Sequence, residues 1–240
     1  MGKKQDACLN QSRDLWNAPI KPDRFAKEVL PYIPHPLKDY LIGLPLPAVT
    51  KLQEIRLRIG KPVILELDTG SYFLSTRGLA LTPKENDPIF ADEVLVGKTL
   101  QLISSSSFYA LEEEMRHGFL TLRGGHRVGF TGEAIVEQGR LKALKNISSL
   151  NFRITREILG AADGLMEFII DARTQQSLHT LIISPPGCGK TTLLRDIIRQ
   201  LSDGIPSLGF SGMTVGLVDE RSEVAGSMGG VPQKNIGYRT

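Results

Sequence analysis

The sequence predicts two domains of different fold class, an α+β domain with an antiparallel sheet and then an α/β P-loop domain. Between residues 55 and 154, short apolar runs alternate with polar residues and glycine turns, which is typical of antiparallel strands. Further on, the apolar run 180–183 leads into a glycine-containing loop, and the amphipathic segment 191–201 follows it. A second apolar run, 213–218, is predicted to be buried as the next strand of a parallel sheet.

Composition indicates a globular protein without a strong charge bias. The chain has 240 residues, of which 41% are hydrophobic and 23% charged, and its net charge of +3 is too small to indicate a nucleic-acid or membrane partner. Its two cysteines, Cys8 and Cys188, are interpreted as reduced thiols in a cytoplasmic protein, and no run is long enough to span a membrane. We predict a loose leader over 1–20, the α+β domain over 21–160 and a P-loop domain over 161–240.

The first domain begins with helices and then changes to strands. Asp23 is placed to cap a helix that ends at Pro31, and 36–44 predicts a second short helix. Ile55, Leu57 and Ile59 then alternate with polar residues, which predicts a half-buried strand. A hairpin follows, with strands over 63–67 and 72–74 around an Asp-Thr-Gly turn.

The second half of this domain is also predicted to begin with helices and to continue with strands. Asp92 begins a helical pattern that reaches Ile103, and a second helix over 109–117 is predicted to end at Gly118. The alternating segments after it predict strands over 119–122, 127–130, 133–137, 141–144 and 149–154. Beyond the boundary near residue 160, a short helix over 165–170 opens the second domain.

The loop after residue 183 has the composition of a phosphate-binding loop. It matches G-x-x-x-x-G-K-[ST] at every fixed position except the first, where Ser184 replaces glycine. Its predicted nucleotide-binding residues are Ser184, Pro185, Pro186, Gly187, Cys188, Gly189, Lys190, Thr191 and Thr192. The ammonium of Lys190 would neutralise phosphate oxygens at a helix N-terminus, and the Thr191 hydroxyl would bind Mg²⁺. We therefore expect ATP and Mg²⁺ as ligands. The alternative is a glycine turn before a surface helix.

Three carboxylates follow the apolar run 213–218, in Asp219-Glu220-Arg221-Ser222-Glu223. At the carboxyl end of a strand, a carboxylate can hold Mg²⁺ or orient the attacking water. We expect Asp219 or Glu220 to act in catalysis, with Asp219 also a candidate metal ligand, while Glu223 stays undecided. The alternatives are a solvated acidic loop and a metal-binding carboxylate beyond residue 240.

Two apolar runs are fewer than a P-loop domain needs, since about five parallel strands are required to cover its helices. We therefore expect the second domain to be C-terminally incomplete and the chain to be the N-terminal part of a longer protein, or else the product of a truncated reading frame.

Several segments together resemble the stage III sporulation protein AA family of endospore-forming bacteria: 54–62, 118–129, 148–154, 184–196 and 218–223. The resemblance implies a RecA-like ATPase similar to those of type II and type IV secretion and pilus machines. It also implies a cytoplasmic homo-hexamer docked on membrane proteins between mother cell and forespore. Residues 219–223 would correspond to the acidic box of those ATPases, and Arg127 and Arg153 would reach the nucleotide as catalytic arginines. For each arginine, an exposed structural role is the alternative.

The leading hypothesis is a motor or assembly ATPase. A RecA-like ATPase stimulated by nucleic acid is an alternative, although 6% aromatic residues and the lack of a basic stripe disfavour nucleic acid as a partner. A third hypothesis is an assembly protein that is gated by nucleotide binding and hydrolyses little nucleotide.

Overall fold

The computed structural model describes residues 20–104, 118–171, 173–185 and 188–240. Within these residues the chain divides into two units, 20–155 and 156–240. The observed division follows Thr155, a few residues before the predicted boundary near residue 160. The predicted leader up to residue 19 and the predicted helix 109–117 lie outside the described residues.

The first unit contains four α-helices among its described residues: α1 Pro22–Glu28, α2 Leu37–Ile42, α3 Leu46–Lys51 and α4 Glu93–Ser104. The prediction that Asp23 caps the first helix is wrong: α1 begins at Pro22, because proline fits the first helical position, and Asp23 lies in the first turn. The prediction at Asp92 is confirmed, since its Oδ1 accepts the backbone N–H of Leu95 at 2.7 Å. The helix α3 is not among the predictions.

An antiparallel sheet of seven strands forms the body of this unit, in the order β5-β4-β3-β1-β9-β8-β7. Its strands are β1 Leu52–Arg58, β3 Ile64–Leu67, β4 Gly70–Ser75, β5 Gly78–Ala80, β7 Phe119–Thr121, β8 Arg127–Glu137 and β9 Arg140–Arg153. Two further strands, β2 Lys61–Pro62 and β6 Phe90–Ala91, pair with each other. The predicted antiparallel sheet is thereby confirmed.

Alternation along the strands determines which face is buried. Ile55 and Leu57 of β1 are fully buried, as their period of two predicts. The predicted hairpin of β3 and β4 is confirmed, and its second strand begins at Gly70, which lies opposite Leu67. The strands β8 and β9 are longer than predicted, and each joins two of the segments that the sequence analysis separates. Phe152 of β9 is fully buried in the core of this unit.

A buried polar contact joins α1 to a tight turn before β8. Thr155 donates its backbone N–H to Nδ1 of His126 at 3.0 Å, so Nε2 carries the ring proton and donates to Oε2 of Glu28 at 3.0 Å. Gly124 closes the turn with φ 74°, and a Cβ there would lie 2.0 Å from the Glu28 carboxylate. Arg24 donates its Nε to Glu28 Oε1 at 3.0 Å. The carboxylate therefore has two donors close to the chain segment that leaves the sheet.

The pKa of Glu28 makes this contact sensitive to acid. Burial raises that pKa, but the hydrogen bonds from His126 and Arg24 lower it further, from 4.5 to about 2. Because the folded-state pKa is depressed, the stabilisation is present above pH 4.5 and is lost as the pH falls towards 2. The side chain is 16% exposed, so we expect Glu28→Gln to lower the free energy of unfolding at pH 7 by about 2 kcal/mol.

Urea titrations followed by circular dichroism at pH 7 and at pH 3 measure this difference. We expect the difference in the free energy of unfolding between wild type and Glu28→Gln to be smaller at pH 3 than at pH 7. The control is Glu137→Gln, since the Glu137–Lys142 pair at 2.6 Å lies mostly in solvent. A gap that is the same size at both pH values would contradict the prediction.

The second unit contains the helices α5 Met166–Ile169 and α6 Lys190–Asp203, and the short strands β10 Ile170–Asp171 and β11 Gln176–Ser177 pair with each other. The helix predicted over 191–201 is confirmed as α6. Two 3-10 turns, Asp163–Leu165 and Pro206–Leu208, lie before α5 and after α6.

The two strands predicted in this unit are not formed. Residues 178–185 and 211–219 belong to no strand, and Leu181, Ile183 and Val218 are 83%, 82% and 96% exposed. A parallel strand depends on hydrogen bonds from its neighbours, and in the described part of the chain neither segment has such a neighbour. The prediction that Met213 to Val218 is a buried run is also wrong, since Met213 is exposed as well.

Within the described ranges, we find no helix with the length and apolar character that crossing a membrane requires.

Candidate functional site

The N-terminus of α6 is the centre of the candidate site. The helix begins at Lys190, directly after Gly189, whose φ of 78° lies in the left-handed region that favours glycine. The first amides of a helix have no partner within it, and together with the helix dipole they favour an anion at this end. Thr191 and Thr192 follow in the first turn and are partly buried. Pro186 and Gly187 lie outside the described residues.

The side chain of Lys190 lies back against the loop that precedes it. Its Nζ donates to the carbonyl oxygens of Ser184 and Pro185, at 2.8 and 2.9 Å. The third N–H of the ammonium group contacts Ser184 Oγ at 3.5 Å, which is long for a hydrogen bond, so the lysine holds the loop backbone and can still donate to a ligand. Cys188, between these residues, is exposed.

A cavity of about 370 Å³ brings the two predicted clusters together. Lys190 and Thr191 line it on the side of α6, and Asp219, Glu220 and Glu223 line it on the side of the acidic segment. All five residues belong to the second unit. The sequence analysis predicted both clusters, and the structure places them around one cavity.

Asp219 is bound on both of its carboxylate oxygens. Its Oδ1 accepts the backbone N–H of Glu223 at 2.8 Å, and its Oδ2 accepts those of Val224 and Ala225 at 3.0 and 2.9 Å. These bonds occupy three of the about four lone-pair sites of a carboxylate. Asp219 therefore organises the backbone of its own segment, and only Oδ1 retains room for a metal ion.

Glu220 differs from Asp219 in its surroundings. It is exposed at the cavity, and within the described ranges no hydrogen bond or ion pair holds its carboxylate. Both carboxylate oxygens can therefore accept a proton or a hydrogen bond from a bound water. Of the two carboxylates predicted to act in catalysis, Glu220 is therefore the one whose two oxygens are both available at the cavity.

The amphipathic pattern of α6 predicts that Arg195, Asp196 and Arg199 lie opposite its apolar face, but Arg195 and Asp196 are buried in the structure. Asp196 is 1% exposed and accepts the backbone N–H of Ala162 at 2.9 Å and the Arg199 guanidinium at 2.7 Å. Burial raises the pKa of Asp196, but the Ala162 amide and the Arg199 and Gln200 side chains lower it further, so it lies below its ordinary range. The carboxylate therefore stays charged and anchors the helix.

Arg195 is the residue of this site that the sequence analysis missed. It is 9% exposed, and it donates to the carbonyl oxygens of Val224 and Glu223, at 2.5 and 2.9 Å. The available signal was its spacing, because Arg195 stands three residues before the buried Ile198 and shares its side of the helix. A charged residue at such a position is buried only when it has a partner.

The two predicted catalytic arginines lie in the first unit, on the strands β8 and β9. Arg127 and Arg153 are opposite one another in the β8–β9 register. The guanidinium of Arg127 lies over the Phe119 ring, 4.5 Å from its centroid, while Arg153 is largely exposed and lies 3.6 Å from Glu54 Oε1. Both side chains thus have contacts within their own sheet.

Comparison with known proteins places the site in a family. Residues 40–240 match the family described as sporulation stage III, protein AA. The chain is 39% identical over 212 residues to stage III sporulation protein AA of Bacillus subtilis (strain 168). The matched region covers 88% of this chain and 63% of that protein. It is also 32% identical over 102 residues to protein SEEDLING PLASTID DEVELOPMENT 1 of Arabidopsis thaliana, covering 41% of this chain and 13% of that protein. No solved structure matches the chain.

Proposed function

The chain belongs to the family of sporulation stage III, protein AA, and we propose that it serves that family's role in sporulation as a nucleoside triphosphatase. The membership supports a role in sporulation. Binding and hydrolysis of ATP, which drive a motor or an assembly step, are the finer part of the proposal.

The observation that carries the proposal is the cavity shared by Lys190, Thr191 and Glu220. A lysine at a helix N-terminus favours a polyphosphate, and an unpaired carboxylate across the same cavity can take a proton from water. Phosphoryl transfer depends mainly on positioning and on charge stabilisation, which these two groups supply. Neither group alone would favour hydrolysis over binding.

In this proposal, Lys190, Gly189 and the backbone amides of the loop have separate roles. The Lys190 ammonium exchanges its contacts with the Ser184 and Pro185 carbonyl oxygens for phosphate oxygens. The backbone amides over 187–191 would surround the phosphates, as in other phosphate-binding loops. Gly189 supports this arrangement because its left-handed backbone turns the chain directly into the helix.

The residues present also fit Mg²⁺. Mg²⁺ is usually held by one or two carboxylates together with substrate phosphates and waters. Thr191 and Asp219 offer a hydroxyl and a carboxylate oxygen at this cavity, whereas the described residues contain no cluster of three or more His, Cys, Asp or Glu side chains that could hold a metal ion by themselves. Bound there, the cation would offset the repulsion between the carboxylates and a triphosphate. Thr191 would hold it directly, and Asp219 would contribute through Oδ1 alone, since its Oδ2 accepts two backbone amides.

Assembly into a homo-hexamer on membrane proteins of the sporulating cell stays a prediction, as does a contribution of Arg127 or Arg153 to the nucleotide. The chain spans 63% of the length of its Bacillus relative, and these properties concern the whole protein.

Equilibrium binding of a fluorescent ATP analogue tests the proposal, with phosphate release as the second measurement. We expect saturable binding of one nucleotide per chain, which weakens when EDTA removes Mg²⁺. Unlabelled ATP should displace the probe and free phosphate should not. An absence of saturable binding would overturn the proposal, and binding without phosphate release would favour the gated assembly protein.

A further inference from the structure

We propose that Arg195 and Asp219 are positioning residues that hold residues 219–225 against α6 and so place Glu220 opposite the N-terminus of that helix. The effect on catalysis rests on the proposed function. The contacts themselves do not, and they can be tested without nucleotide.

Asp219 holds the segment from within. Its carboxylate accepts the backbone N–H groups of Glu223, Val224 and Ala225, and its own carbonyl oxygen accepts the N–H of Ser222 at 3.1 Å. These four bonds close residues 219–225 into a loop. Ser222 adopts φ 50°, a conformation that costs free energy for a residue with a side chain, so the bonds also keep a strained turn in place.

Arg195 holds the same loop from outside. The guanidinium binds the carbonyl oxygens of Glu223 and Val224 with two of its donors. Asp219 binds the backbone N–H groups of these same two residues, so the backbone N–H and C=O groups of Glu223 and of Val224 are all hydrogen-bonded. Hydrogen bonds with a charged partner are about twice as strong as neutral ones. The loop backbone is thus tied to α6 by charge-assisted bonds.

Apolar packing completes the attachment. Val224 and Ala225 are buried in a small cluster with Ile198 of α6 and with Ile236. Of the side chains between Asp219 and Val224, those of Glu220, Arg221 and Glu223 line the cavity. Glu220 is the one among them that has no hydrogen bond or ion pair within the described residues.

The helix links both ends of this arrangement. Arg195 follows Lys190 by five residues, about 7.5 Å along the axis at 1.5 Å per residue. The rigid helix that presents Lys190 and Thr191 therefore also sets the position of the acidic loop. Catalytic groups must lie within about 0.5 Å of their working position, and a misplacement of 1 Å can reduce turnover by about 100-fold. Loss of Arg195 should thus reduce turnover without removing any group that touches the nucleotide.

Hydrogen–deuterium exchange tests the contacts in the chain without nucleotide. We expect the amides of Glu223, Val224 and Ala225 to exchange at least about tenfold faster in Arg195→Gln and in Asp219→Asn. The matched control is Arg199→Gln, one turn further along α6, which pairs with Asp196 and does not touch the loop. Unchanged exchange in Arg195→Gln, or equal acceleration in the control, would overturn the proposal.

Nucleotide measurements test the consequence. We expect the Kd for the fluorescent ATP analogue to stay within about threefold of wild type and kcat to fall by about 10- to 100-fold in Arg195→Gln. Arg195→Lys, which keeps the charge but lacks the fork that reaches two carbonyl oxygens, should show most of that loss and serves in its place if Arg195→Gln is unfolded by circular dichroism. A rise in Kd that accounts for the whole effect, or an unchanged kcat, would overturn the positioning role. If wild type itself binds no nucleotide, the proposed function fails, whereas the exchange result still decides about the contacts.

Discussion

Replacing Lys190 with alanine is expected to abolish binding of a labelled ATP analogue, with an increase in Kd of at least about 100-fold. A hydrogen bond to a charged group is worth about 1.5–3 kcal/mol, and each 1.4 kcal/mol changes an equilibrium constant tenfold. Lys190 can form more than one such bond with phosphate oxygens, since its ammonium already lies at the loop between two carbonyl oxygens. The helix N-terminus remains in the variant, but its partial charge alone is smaller.

The control for this experiment is Lys84→Ala, because Lys84 is an exposed lysine of the first unit without a role in the site. Circular dichroism should show that α6 is retained in Lys190→Ala, since the helix is anchored by Asp196 rather than by Lys190. Binding of the analogue at wild-type affinity would exclude the cavity at Lys190 as the nucleotide site.

Glu220→Gln is expected to bind the nucleotide normally and to lose turnover by about 100- to 10,000-fold, which is the usual contribution of a general base. Glutamine keeps the size and polarity of the side chain but cannot accept a proton from water at neutral pH. The folded chain should tolerate the change well, because no described residue binds the Glu220 carboxylate. The measurement is single-turnover phosphate release at saturating ATP, together with the Kd of the analogue.

Glu167→Gln is the matched control, since Glu167 is an exposed glutamate of the same unit that lies outside the cavity. Comparing Glu223→Gln separates the two glutamates that line the cavity. Hydrolysis at the wild-type rate in Glu220→Gln would assign the base to another carboxylate.

The sequence analysis predicted the strands of the first unit well because their signal is local. Alternation places Ile55 and Leu57 on one face and predicts β1 before any partner is known. The β3–β4 turn is equally local, since Asp-Thr-Gly lies between two short apolar runs. The helix α3 escaped detection because its Pro45 and Pro47 indicate an interruption, whereas Pro47 lies in the first turn, where proline is tolerated.

The predicted strands at 180–183 and 213–218 show the opposite case. An apolar run without alternation indicates burial, but it does not supply the partner that a strand requires. In the structure, Val215 donates its backbone N–H to the carbonyl oxygen of Arg239 at 3.0 Å, a contact between segments that no pattern relates. Whether such a run becomes a strand is therefore decided by the rest of the fold.

Local sequence patterns predict the parts of the candidate site: the glycine-containing loop, Lys190 and Thr191 at the start of an amphipathic helix, and an acidic segment after residue 218. These are properties of residue type and spacing over about ten residues. How these parts contact one another depends on the folded chain. Arg195 contacts Val224, 29 residues away in the sequence, and Asp196 contacts Ala162, 34 residues away. Helical periodicity separates polar from apolar positions, but only the folded chain provides the partners that make a polar side chain buried. For this reason Asp219 and Glu220, adjacent in the sequence, have different surroundings in the structure.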